Sequence, residues 1–490
     1  MADVICKCLP YIVVTPSNAT APLFIRSLHF TAQTVILINI LSEPLREPDN
    51  HYAGDCIALL SGVANATSDK ILLRGESNLS NCIIIGAGAA GMMCGILLGE
   101  KGHRVVILEQ NERIGKKLYI TGKGRCNFTN DCSRDEFLES VKSNPRFLYS
   151  ALDVCSPQDI IEKFESWGMR TKVERGKRAF PASDKSADVI DTLRKELKKN
   201  GVKVLLNTKV TEILTEDGGV CGVNAVTDGK ISTYAADHVI VATGGISYRS
   251  TGSSGDGYIF AEKLGLKVTQ RYPSLVPMNC MEEYCRELQG LSLKNAALHI
   301  KKGKKEVYSG FGEMMFTHFG ITGPLVLKAS ADLADVIGRE RLTSWIDTKP
   351  AVSEEQLDAR ILRLFEANVN KAVKNVVSEL YPAKMTPVIL MLSGVDPDTK
   401  VHDITKEQRA AIIKATKELP ITITALRGYE EAVVTKGGVS VREINPKTME
   451  SKKVPGLYFI GEVLDLDAYT GGFNLQIAWS TAAACAAELW

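Results

Sequence analysis

NCIIIGAGAAGMMCGILLGEKGHRVVILEQ, residues 81–110, carries the parts of a dinucleotide-binding βαβ unit in order. From Cys82, the residues Ile83, Ile84 and Ile85 form the short apolar run of a buried parallel strand. Gly86, Gly88 and Gly91 follow in GxGxxG spacing. The first glycine permits the turn, the second leaves bare backbone for a pyrophosphate, and the third lets the helix lie close to the strand. The anion then faces the free N–H groups of the helix start. The helix runs through Met92, Ile96 and Leu97 and stops near Gly102. A second strand, Arg104 to Leu108, ends on Glu109, about 20 residues beyond the glycines, where a carboxylate accepts from ribose hydroxyls and disfavours a 2′-phosphate. This unit fits FAD and NAD equally well.

A chain of 490 residues is too long for one core, and about three domains are expected. With 45% hydrophobic and 24% charged residues the composition is that of a globular protein. The net charge of +2 and the lack of a basic stripe argue against a nucleic-acid partner. Since no apolar run reaches about 18 residues, no stable membrane association is expected. The 12 cysteines are scattered, without CxxC or metal-ligand spacing, which points to no metal site and a reduced, cytoplasmic compartment.

Residues 1–80 differ from the rest. Asp3 is the sole acid before Glu43, and Lys7 and Arg26 are the only basic residues of that stretch. Without an Arg-rich amphipathic helix, an extension that is poorly ordered or lies upstream of the native start is preferred over a transit peptide.

Beyond Glu109, RIGKKLYITGKGRCNFTN (113–130) is too rich in Gly, Lys and small polar residues to fill a core, and is expected to cover the cofactor. With GAGAAG and Glu109, the segment TGKGRCNFTN resembles the HI0933-like family of NAD(P)/FAD-dependent flavoproteins, aminoacetone-oxidase-like and bile-acid-inducible-oxidoreductase-like. Five later segments extend the resemblance from about residue 81 to the C-terminus: GKRAFPASDKSADV (176–189), ATGGISYRSTGSSGDGY (242–258), GEMMFTHFGITGP (312–324), TKGGV (435–439) and GLYFIGEVLDLDAYTGGFNLQIAWST (456–481). Ala468 and Ala482 stand where the family pattern calls for glycine.

The resemblance selects FAD and implies cofactor contacts from Gly86, Gly88, Ala90, Gly91, Glu109 and Gln110. The loop adds Lys117, Gly124, Arg125, Cys126 and Asn127, and the middle of the chain adds Val210, Thr243, Gly244 and Gly245. At the C-terminal end it implies Gly461, Glu462 or Asp465 on the ribityl chain, and Gly471, Gly472, Phe473 and Asn474 opening a helix toward the flavin. Its fold is an α/β, Rossmann-like FAD-binding domain with an inserted β-barrel-like domain that itself carries a helical insertion.

The residues give the same order. Ser186 to Lys199 has helical spacing, short strands follow from Val202 to Tyr234 with a turn at Asp217-Gly218-Gly219, and His238 to Ala242 reads as a returning parallel strand. Residues 353–419 are helical in pattern between β-rich stretches. The expected limits are 81–275 and 455–490 for the FAD-binding domain, 276–350 and 420–454 for the β-rich domain, and 351–419 for the helical insertion. His318 and Tyr248 are the proton-handling candidates.

Because no second strand-GxGxxG-helix unit follows residue 110, NADH or NADPH would visit the flavin as a transient co-substrate. The expected function is an FAD-dependent oxidoreductase on a small, fairly apolar molecule, with NAD(P)H as donor. The alternatives are an oxygen-using, aminoacetone-like amine oxidase, a flavin-dependent RNA-modifying enzyme, and a flavin-binding protein without turnover.

Overall fold

The computed structural model describes residues 28–30, 33–35, 79–339 and 342–489. The expectation for residues 1–80 lies almost wholly outside these, where Leu28–Phe30 and Gln33–Val35 form a short antiparallel pair. Residues 77–490 make one compact unit.

Its first layer is a five-stranded parallel sheet. Asn81–Ile85 lies between Arg104–Leu108 and His238–Val241, with Lys203–Leu205 and Leu457–Phe459 at the edges. These strands read as unbroken apolar runs because both faces are covered, one by helices and the other by the antiparallel strands of residues 208–235. Ile84, Ile107, Val239, Ile240 and Phe459 have no exposed surface, and each such side chain contributes about 1.5–3 kcal/mol. On one side Ala89–Glu100 packs against the C-terminal helix Phe473–Glu488, whose alanines permit close approach. Ala468 and Ala482, the two departures from the family pattern, are fully buried. Trp479 anchors that helix by donating from its indole nitrogen to the Phe128 carbonyl at 2.8 Å. Ser186–Lys199 buries Val189, Ile190, Leu193 and Leu197, as its spacing predicts.

Thr208–Glu216, Gly219–Thr227 and Lys230–Ala235 form an antiparallel meander leading into the returning strand. A second β layer has seven strands, all paired antiparallel. Their order is Leu419–Ile421, Thr343–Asp347, Ser292–Lys302, Lys305–Thr317, Gly320–Thr322, Met278–Cys280 and Ile423–Leu426. The first and last of these are separated by Thr422 alone, so the sheet curls until its edges meet as a barrel.

Between Asp347 and Leu419 the chain leaves the barrel as helices. Glu354–Glu366 and Lys406–Lys417 open on capping boxes from Ser353 with Gln356 and Thr405 with Gln408. Leu357, Ile361, Val388 and Ile412 of this segment share one core with Leu298, Ile300 and Phe316 of the barrel.

The expected limit for the return to the first layer is residue 454. Ile421 and Ile423 pack with the barrel, whereas Val439, Ile444, Met449 and Val454 pack with the parallel sheet. We therefore propose that 439–454 belongs with the FAD-binding part.

Candidate flavin site

Gly86 turns with φ +106°, and a Cβ built on it would stand 2.7 Å from the Ala242 carbonyl oxygen. A Cβ on Gly91 would stand 2.0 Å from the Gly86 carbonyl oxygen, so the helix start can close on the turn only with glycine there. Gly88 faces open space, with nothing within 4 Å of a Cβ built on it. Acting as N-cap of Ala89–Glu100, Gly88 offers no side-chain cap, and that turn holds no acid. The helix start is thus left for an anion.

A cleft of about 1330 Å³, counting its open mouth, runs over this turn. Gly86, Gly88, Ala90, Glu109, Gln110, Lys117, Val210, Thr243, Gly244, Glu462 and Asn474 line it. Glu109 is buried, and its Oε2 accepts from the Ala87 N–H at 2.7 Å while Oε1 accepts from the Asn111 backbone and side chain at 2.9 and 2.6 Å. The carboxylate therefore fixes the glycine turn as well as facing the cleft. Gln110 and Asn111 reach across to the carbonyls of Gly252 and Thr251, which joins this wall to the loop after the returning strand.

Lys117 and Glu462 form another part of the lining. The Lys117 ammonium donates to Glu462 Oε2 at 2.6 Å and to Ser247 Oγ at 2.7 Å. Glu462 Oε1 accepts from Ser247 Oγ at 3.1 Å and from the Thr435 N–H at 2.9 Å. Lys117 has three N–H donors, and the third has no partner among the described residues. Asp465, the other acid proposed from the family pattern, does not line the cleft. Desolvation raises its carboxyl above the ordinary range, while hydrogen bonding with Asn144 and Thr269 opposes the rise.

Other expected contacts serve the frame of the site. Gly245 and Gly461 pack against Thr435 and Ala90 with no room for a Cβ. Gly472 passes within 2.3 Å, measured from a built Cβ, of the Thr129 carbonyl oxygen. Asn130 donates to the Gly471 carbonyl at 2.9 Å, the Phe473 ring meets Phe137 edge on, and Asn474 ties its side chain back to Ala468 and Tyr469. Behind this loop the fully buried Asp467 accepts from Ser143 and Ser274.

In the covering loop, Gly124 precedes Arg125, whose guanidinium is held by Glu174 and Asp184 and lies over Phe180. Its charge is paired within the protein. Cys126 is fully buried and burial pushes its thiol up to about 12, which keeps it in the unreactive protonated form.

Neither proton-handling candidate lines the cleft. His318 is exposed on the turn between Lys305–Thr317 and Gly320–Thr322, edge on to Phe319. Tyr248 sits in a left-handed turn, half-buried, donating its N–H to the Tyr429 carbonyl. Reasoning from the sequence passed over Ser247, one position earlier, and Thr435. Each joins Glu462, and the TKGGV and GGIS segments were the available signals.

The residues fit FAD. Thr243 lines the cleft, and its Oγ1, like Asn127 Oδ1 in the loop at residues 113–130, is buried with no partner among the described residues. The uncapped helix start and the open space at Gly88, both on the cleft, leave room and N–H donors for a pyrophosphate. A sequence model of the HI0933-like protein Rossmann domain matches residues 80–488.

The chain belongs to this family.

It is an FAD-dependent oxidoreductase of that family. It is 31% identical to the ribosomal RNA dihydrouridine synthase of Escherichia coli over 84% of this chain and 98% of that protein. Identity to the 3-dehydro-bile acid delta(4,6)-reductase of Clostridium scindens is 32%, over 81% and 96% respectively. Among solved structures, 3-ketosteroid delta1-dehydrogenase from Sterolibacterium denitrificans aligns with 84% of this chain and 99% of its own at 12% identity and a TM-score of 0.48. Among the described residues no helix is long and apolar enough to cross a membrane.

Proposed function

We propose that the protein reduces a carbon–carbon double bond conjugated to a carbonyl, with NADH or NADPH as the electron donor. The observation that carries this reading is Lys117, an ammonium fixed by Glu462 and Ser247 that keeps one N–H for the cleft. As such a bond is reduced, negative charge develops on the carbonyl oxygen, and a preorganised cation beside it lowers the barrier. When bound, reduced FAD would supply both electrons as a hydride to the β carbon, and a proton from solvent would complete the reduction at the α carbon.

The chain's own groups do the rest. Gly88 and the helix start would hold the pyrophosphate, and Glu109 would accept from the ribose. The N-terminus of Phe473–Glu488, part of the cleft lining, would add a favourable dipole of about 0.3–1 kcal/mol for negative charge on a reduced cofactor. Val433, Leu466 and Leu475 exclude water along the lining.

The names of the two relatives share this chemistry: a dihydrouridine differs from uridine by saturation of a double bond next to a carbonyl, and a delta(4,6)-reductase saturates double bonds of a 3-dehydro ring. A small enone and a uracil ring within RNA are therefore the two substrate classes, and the outer face of the barrel favours the second, as argued below. A cytoplasmic location accords with the donor.

Anaerobic stopped-flow mixing tests the reading. NADH or NADPH is expected to bleach the flavin absorbance, and an enone or a uracil-containing RNA to restore it. Bleaching by a small amine such as aminoacetone, with neither nicotinamide effective, would replace the reductase by the oxidase.

A further inference from the structure

We propose that the outer face of the barrel around Trp345 grips single-stranded RNA. In the strand pair Ser292–Lys302 and Thr343–Asp347, Leu298, Ile300 and Ile346 alternate into the core with no exposed surface. Their neighbours His299, Lys301 and Trp345 consequently face outward. His299 and Trp345 are direct cross-strand partners, and their rings stack with centroids 5.1 Å apart and planes 12° from parallel. The Lys301 ammonium lies 4.7 Å from the centre of the Trp345 ring. On the far side of His299, Ser309 is its register partner and hydrogen-bonds its ring at 3.1 Å. Two residues along the same strand Phe311 is 64% exposed, which is unusual for a phenylalanine.

This face continues into a concentration of charge. The hairpin that joins the two longest barrel strands has the sequence KKGKK, residues 301–305, with Lys304 and Lys305 exposed at its tip. A groove beside Trp345 is walled on one side by Lys301 and Thr343 and on the other by Leu392, Ala411 and Lys414 of the helical insertion. The acids near it offset this charge only in part. Asp347 is paired with Lys417 at 2.6 Å, Glu306 lies 3.5 Å from His299, and Glu418 lines the far wall of the groove. In a chain with a net charge of only +2, Lys301, Lys304, Lys305 and Lys414 around one aromatic platform mark a segregated field.

Flat aromatic rings flanked by cations are what successive bases and a phosphate backbone require together. An anionic bilayer would use the lysines but has no use for stacked rings, and an acidic peptide has no planar faces to lay on them. The inference rests on the reading in which the reduced ring is a uracil within RNA, and it adds where the polymer is held.

Fluorescence anisotropy of the flavin-loaded full chain with a labelled, uracil-rich single-stranded RNA tests it, across a series of salt concentrations. The double variant Lys304→Ala, Lys305→Ala is expected to flatten the log–log salt slope by about 1.4, the value for two lost phosphate contacts on a single strand. Phe311→Ala is expected to weaken binding about tenfold while leaving that slope unchanged, as loss of a stacking partner does. Trp345→Leu repeats the stacking test at the centre of the platform. Flavin content and bleaching by NADH or NADPH, measured on the same samples, should match the parent. RNA affinity unaltered by the lysine pair and by Phe311→Ala would overturn the proposal, as would equal binding to phosphatidylserine vesicles or no RNA binding at all. Loss of nicotinamide-driven bleaching with RNA binding intact would instead remove the reductase reading and leave the gripping face standing.

Discussion

In the cleft, Glu109 and Glu462 give both carboxylate oxygens to fixed partners drawn from separate parts of the chain. On the barrel, Lys304, Lys305 and Phe311 stand in solvent on strands whose inward neighbours alone carry the packing. The first region is preorganised, so its chemistry and its folding share the same bonds. The second is laid on a finished scaffold, and its chemistry can be removed without disturbing the fold. Substitution should separate the two cleanly.

The largest effect is expected at Gly91. Because a Cβ there would meet the Gly86 carbonyl at 2.0 Å, Gly91→Ala must push the helix off the sheet. The expected cost is above about 4 kcal/mol, and the variant should be recovered without flavin or as insoluble protein. Yellow, folded protein from this variant would show that the turn is less rigid than its geometry implies.

Next is Glu109→Ala, which strips a charge-assisted partner from the Ala87 N–H and from Asn111. FAD binding should weaken by about 1.5–3 kcal/mol, read by flavin titration of the apoprotein, with Glu109→Gln closer to the parent. Lys117→Met should cost about 1–3 kcal/mol of stability by leaving Glu462 without its cation, and should slow the substrate half-reaction more than bleaching by NAD(P)H. An equal slowing of both halves would assign Lys117 to the cofactor alone.

A smaller effect belongs to Asp467, which desolvation holds above the ordinary aspartate value of 3.8 despite hydrogen bonds from Ser143 and Ser274. The folded state keeps a proton that the unfolded chain has released, so this group's contribution to stability falls as pH rises from 3.8 through its folded pKa. Thermal melts of Asp467→Asn against the parent should diverge in that window, the variant gaining relative stability toward neutral pH. The smallest change in stability, within about 0.5 kcal/mol, is expected for Phe311→Ala, although its RNA affinity should drop.

The contrast also explains what the sequence made legible. The fingerprint, Glu109 and the parallel strands could be read because their parts are contiguous and their spacing is imposed by a small, fixed motif. Ser247 and Thr435 could not, since their meeting at Glu462 depends on loops 188 residues apart closing over one another. His318 drew notice through its chemical type, yet the turn that carries it leads away from the cleft lining. The lysines of the hairpin were plain in the sequence, but a net charge averaged over the whole chain hid them. His299 and Trp345, 46 residues apart, become one platform only through strand register.

The way the helical segment is attached has an engineering consequence. Ile346 and Leu419 are partners in adjacent strands, and the Thr348 N–H donates to the Thr416 carbonyl at 3.1 Å. Entry and exit of the insertion are therefore held side by side by the barrel itself, like the two pins of a socket. A foreign domain whose own termini lie close together could be grafted there without shifting any strand. Simple excision is a different matter, because Leu357, Ile361, Val388 and Ile412 seal the apolar side of the barrel and a short loop would leave it open to water.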